Sequence, residues 1–299
     1  MKIAWIGIGH MGKPMAKHIM TAAEEFTVHD LNPDVATDML EDGANWADTP
    51  AEAAAGKDLV VTCLPMPQHV DAVSFGDDGV SEGVDQGTIV IDCTSNSLEM
   101  VRSLHARYAD RGITFLDTPV SGGVIGAMER DLSVYVGGDR DAYDHIKPTL
   151  DAMGDKVQYC GGLGTGTICK LMNQLFGAMV GMARMEVVTA GVKAGVEFDI
   201  LVKAIHEGSG GKRRPFDGFE RPPDDDYEDT ELSFYLDLGA KDVRLANEIG
   251  RSLRVPQPLA NLTEARLIEA LNRGWGKKRN EVVGEIQQQI SNVNLRVDG

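Results

Sequence analysis

Near its amino end the chain reads Lys2-Ile3-Ala4-Trp5-Ile6, an apolar run of strand composition, followed at once by Gly7-Ile8-Gly9-His10-Met11-Gly12. Helical spacing then takes over from Met11 to about Ile19. A lone G-x-G-x-x-G is weak, because glycine-rich turns are common. Here a strand precedes it, a helix follows it, and an acidic residue, Asp30, closes the next strand, Phe26-Thr27-Val28-His29. That context predicts the first βαβ unit of a dinucleotide-binding, Rossmann-type domain. Gly7 permits the tight turn, Gly9 lets a pyrophosphate approach the backbone, and Gly12 lets helix and strand pack closely. Ile8, His10 and Met11 complete the cofactor turn, and the helix N-terminus offers N–H groups and a partial positive charge to phosphates. Asp30 is expected to accept hydrogen bonds from the adenosine ribose. Leu31 is not the arginine that favours a 2′-phosphate, so NAD is the expected cofactor.

Strand and helix patterns alternate through the first half. Strand-like runs fall at Asp58–Cys63, Thr88–Ile91, Thr114–Leu116, Leu132–Val136 and Lys156–Tyr159, with helical stretches such as Asn96–Arg111 and Arg140–Met153 between them. The pattern predicts a parallel sheet covered by helices on both faces, with ligands beyond the carboxyl ends of the strands. From about Thr165 to Ala194 the apolar residues follow one long helical period without proline. Such a helix is about 45 Å long, enough to carry the chain into a second domain. Helices are expected at Asp199–His206, Glu231–Leu253, Leu259–Asn272 and Asn280–Val293, and no strand. The fold expected is an α/β Rossmann-type N-terminal domain, residues 1–163, plus an all-α C-terminal domain, residues 164–299, joined by the long helix.

Composition bounds the function. The 299 residues carry a formal net charge of −17, which disfavours nucleic acid or an anionic membrane as main partner. A small anionic substrate must then meet a local cluster of cations or N–H donors. Cys63, Cys93, Cys160 and Cys169 form no C-x-x-C pair and no metal-ligand spacing, so no metal is expected. Unpaired cysteines and a first strand starting at residue two are the basis for expecting a cytoplasmic protein. The longest apolar stretch, Leu175 to Ala183, is too short to span a bilayer.

Further segments carry polar chemistry. Asp117-Thr118-Pro119-Val120-Ser121-Gly122-Gly123 ends a strand in a glycine-rich turn, where a hydroxyl and two N–H groups form a small anion nest. Lys170 sits in the first turns of the long helix, with Asn173 and Gln174 on its face at i+3 and i+4. The helix dipole disfavours a lysine there, which makes it a functional candidate. Lys241-Asp242 falls within another helix, where a solvated charge pair is the plain expectation. The histidines make no metal spacing. Asp224-Asp225-Asp226-Tyr227-Glu228-Asp229 lacks the glycine of a calcium loop and reads as a solvated acidic turn.

Together these segments resemble the β-hydroxyacid dehydrogenase family, which includes 3-hydroxyisobutyrate dehydrogenase and tartronate semialdehyde reductase and is related to 6-phosphogluconate dehydrogenase. The motifs that carry the resemblance are Gly7 to Met15, Leu64-Pro65, Asp92-Cys93-Thr94-Ser95, Asp117 to Gly123, Lys170 to Gln174 and Lys241 to Ala246. The resemblance implies that Lys170 is the catalytic lysine and that Ser121, Gly122, Gly123 and Asn173 contact substrate, with Gln174 beside them. It places Leu64, Pro65, Ser95 and Lys241 along the cofactor. A nicotinamide handles the hydride, so the protein positions substrate and moves one proton. Burial would bring a lysine toward the useful range.

The expected activity is NAD-dependent oxidation of a small β-hydroxyacid to its semialdehyde. A semialdehyde reductase acting on tartronate semialdehyde or a sulfonated or dianionic analogue is the alternative; a cofactor-binding scaffold and an imine reductase are further ones. A homodimer or homotetramer is expected from the apolar helical half. Three places depart from the family pattern: Arg130 stands where glycine is usual, Gly274-Trp275-Gly276-Lys277-Lys278-Arg279 replaces an acidic residue, and Lys212-Arg213-Arg214 follows Ser209-Gly210-Gly211. The last is the candidate grip on a second anionic group.

Overall fold

The computed structural model describes residues 1–193, 195–208, 227–228, 234–252, 254 and 258–294. The chain divides into two compact units, Met1–Leu171 and Met172–Gly299.

The first unit is built on a nine-stranded sheet of order β3-β2-β1-β4-β5-β6-β8-β7, with β9 beside β8. Its strands are β1 (Lys2–Ile6), β2 (Glu25–His29), β3 (Asn45–Trp46), β4 (Leu59–Thr62), β5 (Ile89–Asp92), β6 (Thr114–Asp117), β7 (Val120–Ser121), β8 (Ser133–Gly137) and β9 (Lys156–Gly161). The β3-to-β6 order is the doubly wound one, every pair in it parallel. Alternate strand residues feed two cores. Ile3, Trp5, Val28, Leu59 and Ile91 pack on one face, where α1 (Gly12–Met20) contributes Met15 and Ile19. Ala4, Ile6, Val60, Val90 and Phe115 pack on the other. There α3 (Pro50–Ala54), α4 (Pro67–Phe75) and α6 (Leu98–Ala109) cover the sheet through Ala53, Val70 and Leu104. The remaining short helices are α2 (Thr37–Glu41), α5 (Val80–Gly83) and α7 (Gly123–Glu129), and α8 (Arg140–Leu150) precedes β9.

One expectation is corrected. The sheet is not parallel throughout: β8 runs antiparallel to both β6 and β7. The physical cause is the break at Thr118-Pro119, where proline has no N–H for a ladder. The Pro119 carbonyl instead accepts from the Tyr135 N–H at 3.0 Å, and α7 is too short to carry the chain back across the sheet for a parallel return.

Helix α9 (Thr165–Lys193) leaves the sheet and runs into the second unit. That unit comprises the rest of α9 with α10 (Phe198–Glu207), α11 (Leu236–Ser252), α12 (Pro258–Asn272) and α13 (Val283–Ser291). Its described residues include no strand. Asn247 ties α11 to α12, donating from Nδ2 to the Ala260 carbonyl at 3.1 Å and to Glu264 at 2.7 Å. Two of these helices depart from the expected bounds by more than one residue. α11 starts at Leu236 because Tyr235 is held in an isolated bridge with Arg279. The last segment opens as a single 3₁₀ turn, Asn280–Val282, and closes at Ser291, where Asn292 takes a left-handed conformation (φ 52°).

Candidate active site

The last residues of β2, β1, β4, β5 and β6 line up in one row, His29, Ile6, Thr62, Asp92 and Asp117, each the register partner of the next. The row continues one residue further through backbone bonds. Gly7 donates to the His29 carbonyl, Cys63 to Ile6, Cys93 to Thr62 and Thr118 to Asp92, all at 2.8–2.9 Å. Every loop the sequence singled out in this unit therefore leaves the same edge of the sheet.

The glycine loop is built as its residue types require. Gly7 has φ +93°, and a Cβ there would lie 2.3 Å from the Cys63 carbonyl oxygen. A Cβ on Gly12 would lie 1.9 Å from the Gly7 carbonyl oxygen, which also accepts from Trp5 Nε1 at 3.0 Å. A Cβ on Gly9 would meet nothing within 4 Å. The outer two glycines are thus consumed by packing, and the middle one opens onto space that a pyrophosphate would fill. Ile8 is buried, His10 exposed and Met11 half-buried. Asp30 accepts the Ile8 N–H at 2.8 Å and the Asn32 N–H at 3.2 Å, so its carboxylate is fixed against the loop. Leu31 beside it is 97% exposed.

At the ends of β4 and β5, Asp92 is 1% exposed. It accepts from Thr62 Oγ1 (2.8 Å), the Thr94 N–H (3.1 Å) and Asn96 Nδ2 (3.0 Å). Thr94 Oγ1 accepts in turn from the Leu64 N–H at 2.9 Å. Leu64 and Ser95 are half-buried and Pro65 exposed on the loops so fixed. Burial pushes the Asp92 carboxyl above the ordinary carboxylate range.

At the end of β6, Asp117 is equally buried, and desolvation pushes its carboxyl up too. Its oxygens accept the Gly164 N–H at 2.8 Å and the Thr167 N–H at 2.6 Å. The start of α9 therefore gets its cap from a strand far away in sequence rather than from its own turn. Lys170 follows one turn later and is 5% exposed. Beyond Asp117, Ser121 is half-buried, and Gly122 (φ +141°) and Gly123 (φ +65°) turn the chain sharply into α7. Arg130, the departure from glycine, closes α7 in the left-handed region at φ 60°. Its Nε donates to the Ala152 carbonyl at 3.0 Å. That geometry accounts for the glycine usual there and for how an arginine is held in its place.

In the second unit Asn173 is exposed, and Gln174 donates from Nε2 to Asp242 at 3.1 Å. Lys241 lies 3.4 Å from Asp242, and the two side chains are 8% and 2% exposed. The plain expectation of a solvated pair is corrected: this pair is buried among the helices and bonded to Gln174. Lys277 and Lys278 in the late basic run pair with Asp237 (2.7 Å) and Glu228 (3.2 Å). Lys212, Arg213 and Arg214 lie outside the described residues, as do Asp224–Asp226 and Asp229. Among the described residues no cluster of metal-ligating side chains occurs, and no helix is long and apolar enough to cross a membrane.

Asp92 and Asp117 stand within motifs of the sequence that by themselves assign neither a task. The available signal was an aspartate ending each of two neighbouring apolar strands, followed within two residues by a threonine.

The chain is similar to known proteins along most of its length. Residues 2–162 match the family described as the NAD binding domain of 6-phosphogluconate dehydrogenase. Residues 164–283 match the NAD-binding domain of NADP-dependent 3-hydroxyisobutyrate dehydrogenase. An NAD-dependent L-serine dehydrogenase of Pseudomonas aeruginosa is 32% identical over 95% of this chain and 97% of its own. A 3-hydroxyisobutyrate dehydrogenase of the same organism is 32% identical over 87% and 89%. Among solved structures, a Mycobacterium tuberculosis 3-hydroxyisobutyrate dehydrogenase with L-serine has a TM-score of 0.85 at 25% identity, covering 96% of this chain and 99% of that one. Imine reductases share the fold at 16–19% identity.

A Rossmann-type domain with an open glycine loop, and helices beyond it, define a nicotinamide-dependent oxidoreductase. The chain belongs to the β-hydroxyacid dehydrogenase family.

Proposed function

We propose that the chain oxidises a small β-hydroxyacid to its semialdehyde with NAD, and that Lys170 carries the proton. The observation that supports this most is a lysine held 5% exposed on the first turns of a helix whose start is capped by Asp117. Lysine is seldom buried to this degree. The substrates named for its relatives, L-serine and 3-hydroxyisobutyrate, are both small carboxylates with a hydroxyl on the β carbon.

The nicotinamide, when bound, accepts the hydride. Gly9 lets the pyrophosphate approach the loop that Gly7 and Gly12 shape, and His10, Met11, Leu64, Pro65, Ser95 and Lys241 line the rest of the cofactor. Ser121, Gly122 and Gly123 hold the substrate carboxylate, and Asn173, with Gln174 behind it, orients the reacting oxygen. Neutral Lys170 removes the hydroxyl proton in oxidation, and the protonated lysine returns it in reduction.

The test has two parts. NADH formation is followed with L-serine, 3-hydroxyisobutyrate, glycerate and a dianionic β-hydroxyacid, and one of the monocarboxylates should be turned over best. Lys170→Ala should then lower kcat by about a hundredfold or more while NAD binding is nearly kept. Lys170→Arg should not rescue, because arginine stays protonated. Loss of NAD binding with turnover preserved would reverse the assignment.

A further inference from the structure

Asp92 and Asp117 are register partners at the carboxyl ends of β5 and β6. Both are 1% exposed, and burying two carboxylates on neighbouring strands is expensive. Closing a sheet edge needs no charge, since neutral hydroxyls or amides would do it at less cost. What the two share is a strict diet of donors. Asp92 accepts from a hydroxyl, a backbone N–H and an amide NH₂; Asp117 accepts two backbone N–H groups. Ionised aspartate supplies only acceptors, whereas asparagine would turn an NH₂ toward some of these donors.

The two networks lead to different places. From Asp92 the bonds pass through Thr94 Oγ1 to the Leu64 N–H, joining the β5 loop that carries Ser95 to the β4 loop that carries Leu64 and Pro65. From Asp117 they pass to the first turn of α9, one turn before Lys170. That contact is direct and tight. A Cβ on Gly137 would lie 2.5 Å from Asp117 Oδ1, and a Cβ on Gly166 would lie 2.8 Å from the Asp117 carbonyl oxygen.

We propose that Asp92 and Asp117 are positioning residues with separate duties, Asp92 setting the loops that line the cofactor and Asp117 setting the helix that presents Lys170. Neither touches the reacting atoms. The inference rests on the cofactor and lysine assignments made above. Its expected size follows from the sensitivity of catalysis to placement, since an error of about 1 Å in a reacting group costs up to a hundredfold.

The experiment compares Asp92→Asn and Asp117→Asn in the full chain by NADH dissociation constant, by kcat at saturating substrates, and by thermal midpoint. Asp92→Asn should weaken NADH binding about tenfold or more. Asp117→Asn should change NADH binding less than about twofold while kcat falls at least about tenfold. Should either variant fail to fold, a second perturbs the same network more mildly. Thr94→Val removes the link to Leu64 with the Asp92 carboxyl intact. Asp117→Ser keeps one side-chain oxygen but cannot bridge both N–H groups at the start of α9. The same split is expected from each. Equal loss of binding and turnover in both arms, or a lowered thermal midpoint with both parameters unchanged, overturns the proposal. Lys170→Ala is run alongside. If it keeps full turnover while Asp117→Asn loses it, the lysine assignment fails and the division between the carboxylates stands.

Discussion

Replacing Gly12 and Gly9 separately by alanine should separate two functions that one loop combines. At Gly12 the new Cβ would sit 1.9 Å from the Gly7 carbonyl oxygen, 3.0 Å from its carbon and 3.2 Å from Trp5 Nε1. None of these is the loose end of a flexible side chain, so α1 must move away from β1. Overpacking of this kind costs about 1–3 kcal/mol, and disturbing the buried Trp5–Gly7 bond adds about 1 kcal/mol. Alanine returns up to about 1 kcal/mol as the better helix former. The net loss is about 1–3 kcal/mol, a fall in thermal midpoint of about 2–4 °C for each kcal/mol in a unit of this size. At Gly9 nothing lies within 4 Å of the added methyl, so the midpoint should move by less than 1–2 °C, on the order of 0.5 kcal/mol or below. The same methyl stands where the pyrophosphate must approach, so NADH affinity should fall about tenfold or more, roughly 1.4 kcal/mol. Differential scanning fluorimetry and NADH fluorescence titration measure the two effects. A Gly9→Ala protein that binds NADH normally, or a Gly12→Ala protein with an unchanged midpoint, would refute this account of the loop.

NAD should be preferred over NADP by at least about tenfold in kcat/KM, roughly 1.4 kcal/mol. The fixed Asp30 carboxylate repels a 2′-phosphate, and exposed Leu31 offers it no cation; comparable values for both cofactors would contradict this. Acid stability should carry a contribution from Asp38, whose carboxyl Lys13 and Lys17 hold down to about 2. Because this pKa is depressed, the stabilisation is complete above about pH 4 and disappears as pH falls toward 2; Asp38→Asn should lower stability at neutral pH by the height of that limb, a small amount given how exposed the pair is, and should leave stability near pH 2 unchanged. Light scattering should give a dimer or tetramer, since Phe176, Leu262 and Ile290 of the helical unit are 61–67% exposed; a monomer mass at micromolar concentration would exclude it.

Much of the fold was legible without coordinates because it depends on information a few residues long. The glycine spacing from Gly7 to Gly12 is a steric requirement, and Gly7 and Gly12 indeed admit no Cβ. The apolar periods marked β4, β5, β6, β8 and β9 and the long helix beginning at Thr165. Ser97 and Asp139, accepting from Met100 and Ala142, start α6 and α8 by local capping. The family motifs also named the residues now placed at the strand ends. What the pattern missed lies in contacts between residues distant in sequence. Asp117 reaches Gly164 and Thr167 across 47 and 50 residues, and Leu64 reaches Thr94 across 30. The antiparallel β8 and the hold of Gln174 on the buried Asp242 across 68 residues are of the same kind. Local sterics and side-chain period decide which segments become strand, turn or helix. Only sheet order and helix packing decide which strand end faces which helix start, and so why two carboxyl groups stay buried beside one another.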